Sequence, residues 1–347
     1  MIPTVRLAPD YTVSRLIKGG WQLAGGHGAV DRHRALADMT AYASAGITAF
    51  DCADIYTGVE ELIGEFLREW RAAHGPNAPH IRVHTKCVPD RDRLATLRTS
   101  EIDALIDRSL TRLRVDTLDL VQLHWWDFDV PGVEDAALHL RALQQAGKVR
   151  HIGVTNFDTP TLRALLDVGV PVVSHQLQLS LLDRRALGAM ADLCAERGVS
   201  VLAYGALAGG FLHERWCGVP EPSEPLENRS LTKYKLIIDE FGGWDAFQAL
   251  LRVLRDVANA HATTIGAVAL RCVLDEPCVS AVIVGARNAA HVPATLAALQ
   301  IAFTYDERRR IDALVAGRSG PAGDVYALER VVGGRHAAIM RTNLNAG

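Results

Sequence analysis

Short apolar or β-branched runs alternate with longer amphipathic stretches along nearly the whole of this 347-residue chain, and that recurrence leaves few folds open. Strands are expected at Ala49 to Cys52, Ile81 to Cys87, Leu118 to His124, His151 to Asn156, Val172 to Gln178, Val199 to Tyr204 and Val279 to Val284, with a shorter candidate at Leu16 to Lys18. Between them, spacings such as Ile102, Leu105, Ile106, Leu110 and Leu113 set one apolar stripe of a helix against a sheet. Repeated βα units require a parallel sheet covered by helices. About eight strand candidates in unbroken alternation favour closure into a (β/α)8 TIM barrel over an open, doubly wound sheet. A single barrel domain is expected over 1–318, followed by a glycine-rich, basic tail, 319–347, that could cover the barrel or stay mobile. Leu207 to Gly243, with three prolines in GVPEPSEPLENRS, reads as a long functional loop after the seventh barrel strand.

Thirty-seven Lys and Arg against 40 Asp and Glu leave a formal charge of −3 with no block of like charge, so neither nucleic acid nor a membrane surface is an expected partner. The longest strongly apolar stretch without a full charge, Gly198 to Leu212, falls short of the ~18 to 20 residues of a membrane span. The opening MIPTVRLAPD lacks the basic and apolar regions of a secretory signal, and a cytoplasmic location is expected. Six cysteines without CxxC spacing read as reduced and mostly buried, and no metal site is expected. Nothing in the pattern sets an oligomeric state.

Reactive groups of a closed α/β barrel project from the C-terminal ends of its strands, where the βα loops form the mouth. GITAFDCADIY ends the second barrel strand with Asp51 and then supplies Tyr56; VHTK ends the third with Lys86; LVQLHWW ends the fourth with His124. Singly, each has an ordinary role open to it: a helix-capping Asp51, a loop-packing Tyr56, a snorkelling Lys86, a hydrogen-bonded core His124. Together, in this order, they resemble the aldo-keto reductase superfamily, whose glycine-phenylalanine-aspartate to tyrosine signature GITAFDCADIY matches. The resemblance continues through HIGVTNF, Val173 to Gln176, VLAYGALAGGFL and VIVGARNAAHV, covering about residues 15 to 300.

The resemblance implies hydride transfer between a nicotinamide cofactor and the carbonyl carbon of a small aldehyde or ketone, or the reverse from an alcohol. Tyr56 would be the general acid, Lys86 the cation beside it, Asp51 the carboxylate holding Lys86, and His124 the hydrogen-bonding group that orients the carbonyl. An ammonium ~4 Å from a phenol contributes about 4 kcal/mol at an effective dielectric of ~20. It is expected to lower the phenol pKa from ~10 by roughly 3 units before burial opposes it.

The same resemblance carries cofactor contacts to Gly20, Trp21, Thr155, Asn156, Gln176, Tyr204, Gly205, Leu207, Gly285, Arg287, Asn288 and His291. Thr155, Asn156 and Gln176 would bind the carboxamide, and Tyr204 would stack under the ring. The helix start at Gly285, Arg287 and Asn288 would receive a phosphate. NADP(H) is preferred over NAD(H) on the strength of Arg287. Many members carry a lysine-serine pair, a following arginine and an asparagine in this region, where this chain has Gly285-Ala286, His291 and Thr295. Trp21, Trp125, Trp126 and Trp216 are expected to wall the substrate pocket. Two other readings stay open: a nicotinamide-binding regulatory protein with little turnover, similar to the family's potassium-channel β-subunits, and a metal-dependent barrel hydrolase, against which the first strand offers no HxH pair.

Overall fold

An antiparallel hairpin, β1 (Thr4–Ala8) and β2 (Tyr11–Ser14), leads into eight parallel strands. These are β3 (Leu16–Gly19), β4 (Ala49–Asp51), β5 (Arg82–Cys87), β6 (Leu118–Leu123), β7 (Val149–Thr155), β8 (Val172–Gln178), β9 (Ser200–Tyr204) and β10 (Val279–Gly285). They close as a barrel in the order β10-β3-β4-β5-β6-β7-β8-β9, so every expected strand is present and the sheet is a (β/α)8 barrel. The computed structural model describes residues 2–25, 28–75, 78–223, 225–285, 288–318 and 320–345.

The helical shell comprises α1 (Arg32–Ser44), α2 (Val59–His74), α3 (Thr99–Leu113), α4 (Val133–Gln145), α5 (Thr159–Asp167), α6 (Ala189–Arg197), α7 (Arg229–Phe241), α8 (Gly243–Ala260), α9 (Ile265–Leu274), α10 (Val292–Ala297) and α11 (Tyr305–Ala316). The tail adds two single turns, α12 (Ala327–Arg330) and α13 (Arg335–Ala338). Local chemistry supports the longer helices. α2, for example, carries Glu60 and Glu61 in its first turn and Arg71 and His74 in its last, each complementing the helix dipole.

Alternation along each strand decides what enters the barrel. On β6, Leu120 and Gln122 face inward while Val121 and Leu123 join the apolar shell under the helices. On β5, Thr85 faces outward and donates to Glu60 of α2 at 2.6 Å, leaving His84 and Lys86 inside. A small apolar cluster fills the barrel itself, including Tyr11, Val13, Ile17, Ala49, Leu120, Leu202 and Ala281. The hairpin supplies the first two and closes the end away from the mouth, where Tyr11 packs 4.6 Å from His151. Sequence patterning does not reveal this hairpin, since its strands span only five and four residues around Pro9 and Asp10.

Two stretches differ from expectation. Leu207 to Gly243 is not one loop, because α7 occupies its second half. Asn228 caps that helix by accepting from the Leu231 amide at 3.1 Å, and Leu231, Tyr234, Ile237, Ile238 and Phe241 are buried. The prolines upstream conceal this helical spacing. The tail, for its part, folds across the mouth of its own barrel. Arg330 donates to the carbonyls of Trp125 at 3.0 Å, Trp126 at 3.2 Å and Asn156 at 2.8 Å. Arg185, after β8, pairs with Asp183 at 2.7 Å and with Glu329 of the tail at 2.9 Å, the three side chains being 2%, 0% and 0% exposed. Farther along, the amides of Leu344 and Asn345 donate to Asp90 at 2.8 and 3.0 Å. Among the described residues no single helix is long and apolar enough to cross a membrane.

Candidate active site

The register of the barrel brings Asp51, Lys86, His124 and the following Tyr56 to one end. Asp51 pairs across with Gly19 and His84, and Lys86 with Gln122. Lys86 Nζ donates to Asp51 Oδ2 and to the Cys52 carbonyl, each at 2.7 Å, and stands 5.2 Å from the centre of the Tyr56 ring. The other oxygen of Asp51 accepts from Gln122 at 3.1 Å and Gln176 at 2.6 Å. A buried ion pair is expensive to desolvate, and these extra hydrogen bonds are what make it tolerable.

Electrostatics at the pair differ from the sequence-based expectation. Burial alone would lower the Lys86 pKa, but Asp51 and Tyr56 outweigh it and the ammonium stays charged, above its ordinary value. Burial likewise dominates Tyr56 and raises its phenol pKa. Lys86 opposes that rise, while Asp51, Cys52 and Asp54 add to it. Burial thus outweighs the lowering expected from the ammonium alone: Asp51 largely neutralises that charge, and the phenol loses its own hydration. Tyr56 holds its proton at neutral pH.

His124 also behaves differently. Burial, followed by the charge of Arg330, with Lys86 and Lys233 contributing, lowers its pKa to about 3, so the ring is neutral. Nδ1 lies 3.2 Å from the Thr155 carbonyl, a partner that can only accept. The single ring proton is thus committed to Nδ1, and Nε2 is left as an acceptor. A neutral His124 so bonded would face a bound alcohol as an acceptor, where the resemblance implies a donor to the carbonyl.

On the cofactor side, Thr155 ends β7, Gln176 lies in β8 and Tyr204 ends β9, on adjacent strands. Asn156 follows at φ 60°, an uncommon conformation for a side chain other than glycine, and its Oδ1 accepts from the Tyr204 hydroxyl at 2.8 Å. That leaves the Asn156 amide nitrogen as an unused donor, and the Gln176 Oε1 as an unused acceptor, among the described residues. Gly205, at φ 79°, stands where the Tyr234 hydroxyl fills the space of a Cβ, and Leu207 follows it in the turn to the short helix Ala208–Gly210. Trp21, after Gly20, packs 5.1 Å from Tyr56 and donates to Ser230 at 3.3 Å.

The phosphate end is less open than expected. Arg287 lies outside the described residues. Gly285 pairs with Gly19, but the Ala289 amide is already taken by Asp38 at 2.8 Å and the Ala290 amide by Asn288 at 3.0 Å. After Asn288 the chain enters a 3-10 turn, Ala289–His291, before α10 begins. Lys18 is a cation that sequence patterning overlooks. Burial lowers its pKa to about 8, its Nζ donates to the Gly19 carbonyl at 2.6 Å, and it contributes to the lowered pKa of His291, after burial and His213.

Trp126 meets His124 edge-on at 4.3 Å and, with Trp21, walls the mouth. Trp125 does not: it is 0% exposed and donates to the Val130 carbonyl at 3.1 Å, because the residue after the inward His124 turns toward the outer shell. Trp216 is likewise drawn away, into a cluster with Phe211 at 4.8 Å and Trp244 at 6.0 Å. Their places are filled by residues that sequence patterning missed. Tyr326 of the tail stands 5.9 Å from His124, and Lys233 of α7 lies 5.5 Å from the Tyr326 ring. Tyr326 is the sole aromatic after Ser319, the one hint available in the sequence. No group of three or more His, Cys, Asp or Glu placed to hold a metal occurs among the described residues.

This barrel, with its polar group at the mouth, is that of an oxidoreductase family. The profile of the Aldo/keto reductase family matches residues 15–316, and the chain belongs to that family. Its structure is similar to that of the glycerol dehydrogenase AKR11B4 from Gluconobacter oxydans, with a TM-score of 0.76 at 26% identity over 92% of this chain and 97% of that one. Among curated relatives, flagellar radial spoke protein 5 of Chlamydomonas reinhardtii is 29% identical over 65% of this chain, and the match spans 49% of that protein's length. The NADH-specific methylglyoxal reductase of Escherichia coli is 29% identical over 58% of this chain and 66% of its own.

Proposed function

We propose that the chain transfers hydride between NADP(H) and a small aldehyde or ketone, or the corresponding alcohol, with Tyr56 as the proton donor. The observation that carries this reading is the buried Lys86 and Asp51 pair set against the ring of a half-buried, protonated Tyr56 at the barrel mouth. The unused donor of Asn156 and unused acceptor of Gln176 match the two ends of a carboxamide, so the residues present fit a nicotinamide. When bound, the nicotinamide supplies or accepts the hydride. Tyr56 gives its proton to the carbonyl oxygen as charge develops there, and the Lys86 ammonium stabilises the phenolate left behind. His124 Nε2 accepts the hydrogen of the alcohol hydroxyl, while Trp21, Trp126 and Tyr326 keep water from the mouth. The barrel domain, 1–318, would thus be completed by its tail. Free thiols at all six cysteines support a reducing compartment, the cytoplasm in this reading.

NADPH consumption across aromatic aldehydes, sugars, quinones and ketosteroids tests the proposal. Turnover of at least one class is expected; tight NADPH binding with no turnover would favour the regulatory reading. For the cofactor itself, Arg287→Ala is expected to weaken NADPH more than NADH by about 1 to 3 kcal/mol, the scale of a charge-assisted phosphate contact. Binding titrations of both cofactors measure this, and equal losses would remove Arg287 from recognition of the 2′-phosphate.

A further inference from the structure

Lys233 occupies an unusual position at the mouth. It projects from the second turn of α7 into a cage of aromatic rings, its Nζ lying 5.2 Å from the centre of Tyr204, 5.6 Å from Tyr234 and 5.5 Å from Tyr326. Among the described residues it forms no ion pair and no hydrogen bond. The carboxylates that act on it most, Glu329 and Asp183, are both held by Arg185, at 2.9 and 2.7 Å, in a fully buried cluster. Burial lowers the Lys233 pKa, with Arg185 also lowering it while Glu329 and Asp183 raise it.

The same imbalance reaches His124. After burial, the side-chain charges acting on it are those of Arg330, Lys86 and Lys233, all cationic. Of these, Arg330 and Lys233 have no carboxylate bonded to them among the described residues. Arg330 and Lys86 have hydrogen-bond acceptors, backbone carbonyls for the first and Asp51 with Cys52 for the second. Lys233 does not. A half-buried ammonium given only aromatic faces recovers little of the hydration it has lost, and an anion arriving beside it would restore the balance.

Resting on the reductase reading above, we propose that Lys233 anchors an anionic group of the carbonyl substrate, a carboxylate or a phosphate borne away from the reacting carbonyl. Tyr326 would lie alongside the body of such a molecule, between the Lys233 anchor and His124. The tail and α7 together would then select charged carbonyl compounds over neutral ones of the same shape.

The test compares 4-formylbenzoate with its neutral isostere 4-formylbenzamide as substrates of the wild type, Lys233→Met and Lys233→Arg. The wild type is expected to favour the carboxylate in kcat/KM by at least tenfold, Lys233→Met to bring the ratio near one, and Lys233→Arg to restore most of it. Binding of the two corresponding benzyl alcohols in the presence of NADP+, followed by tryptophan fluorescence, should show the same ratios without requiring turnover. If wild type binds the charged alcohol preferentially through Lys233 but reduces neither aldehyde, the anchor stands and the reductase reading fails. Equal ratios in wild type and Lys233→Met would overturn the anchor. So would a rise in the NADPH Kd of Lys233→Met that matches its loss on the carboxylate, which would assign the cation to the cofactor diphosphate.

Discussion

Replacing Tyr56 with phenylalanine is expected to lower carbonyl turnover by at least ~100-fold while leaving NADPH affinity within a few-fold. The substitution keeps the ring that packs 5.1 Å from Trp21 and 5.2 Å from Lys86 Nζ, and removes one hydroxyl. Neither Lys86 nor His124 is placed to take over its proton. Lys86 is charged and donates to Asp51 and Cys52, and the single proton of His124 is turned toward Thr155. Single-turnover reduction and cofactor titration on the folded variant separate chemistry from binding. Near wild-type reduction by a cofactor-saturated Tyr56→Phe would contradict the assignment.

Arg185→Met is expected to cost about 3 to 5 kcal/mol of stability at pH 7.5, the usual scale of breaking a buried ion pair from one side. It would leave Asp183 and Glu329 both buried without their shared cation, and would free the tail from the turn after β8. In the wild type, burial would raise the Glu329 pKa, but the Arg185 hydrogen bond together with the charges of Lys233 and Arg185 outweighs it, and the value lies below that of an ordinary carboxylate. Its contribution is therefore complete above about pH 4.3 and is lost as pH falls through the lower folded value. In the variant the sign reverses for Glu329, since burial without the Arg185 cation raises its folded pKa, and stability falls as pH rises above about 4.3. Urea unfolding at pH 7.5 and pH 5 should show the larger deficit at the higher pH. An equal or smaller deficit at pH 7.5 would mean that the carboxylates find other partners.

The barrel was legible because each strand is a compact apolar run and the helices between them repeat at three and four. The hairpin was not: its strands are short, and Tyr11 gains its importance only by packing against His84 and His151. Asp51, Tyr56, Lys86 and His124 could be singled out because strand ends converge at a barrel mouth. The direction of the Tyr56 shift could not, since it depends on Asp51 lying 2.7 Å from Lys86 and on how deeply the phenol is buried. Nor could the tautomer of His124, set by a carbonyl of the neighbouring strand. Trp125 shows the limit of reading adjacency: one residue beyond an inward histidine, the pleat sends its ring the opposite way. Lys233, Tyr326 and Arg330 reach the mouth from α7 and the tail, through contacts that no local periodicity encodes.

In the proposed reaction, hydride passes at this mouth from a nicotinamide to a carbonyl carbon. Incubating the purified protein with NADPH deuterated on one or the other face of C4, together with carbonyl compounds, and analysing the alcohols by mass spectrometry follows that atom itself. Deuterium is expected on the carbinol carbon from one labelled face only, because the proposed contacts at Asn156, Gln176 and Tyr204 would hold the nicotinamide in one orientation. Alcohol lacking deuterium with either label, or no alcohol while NADPH remains tightly bound, would contradict the assignment.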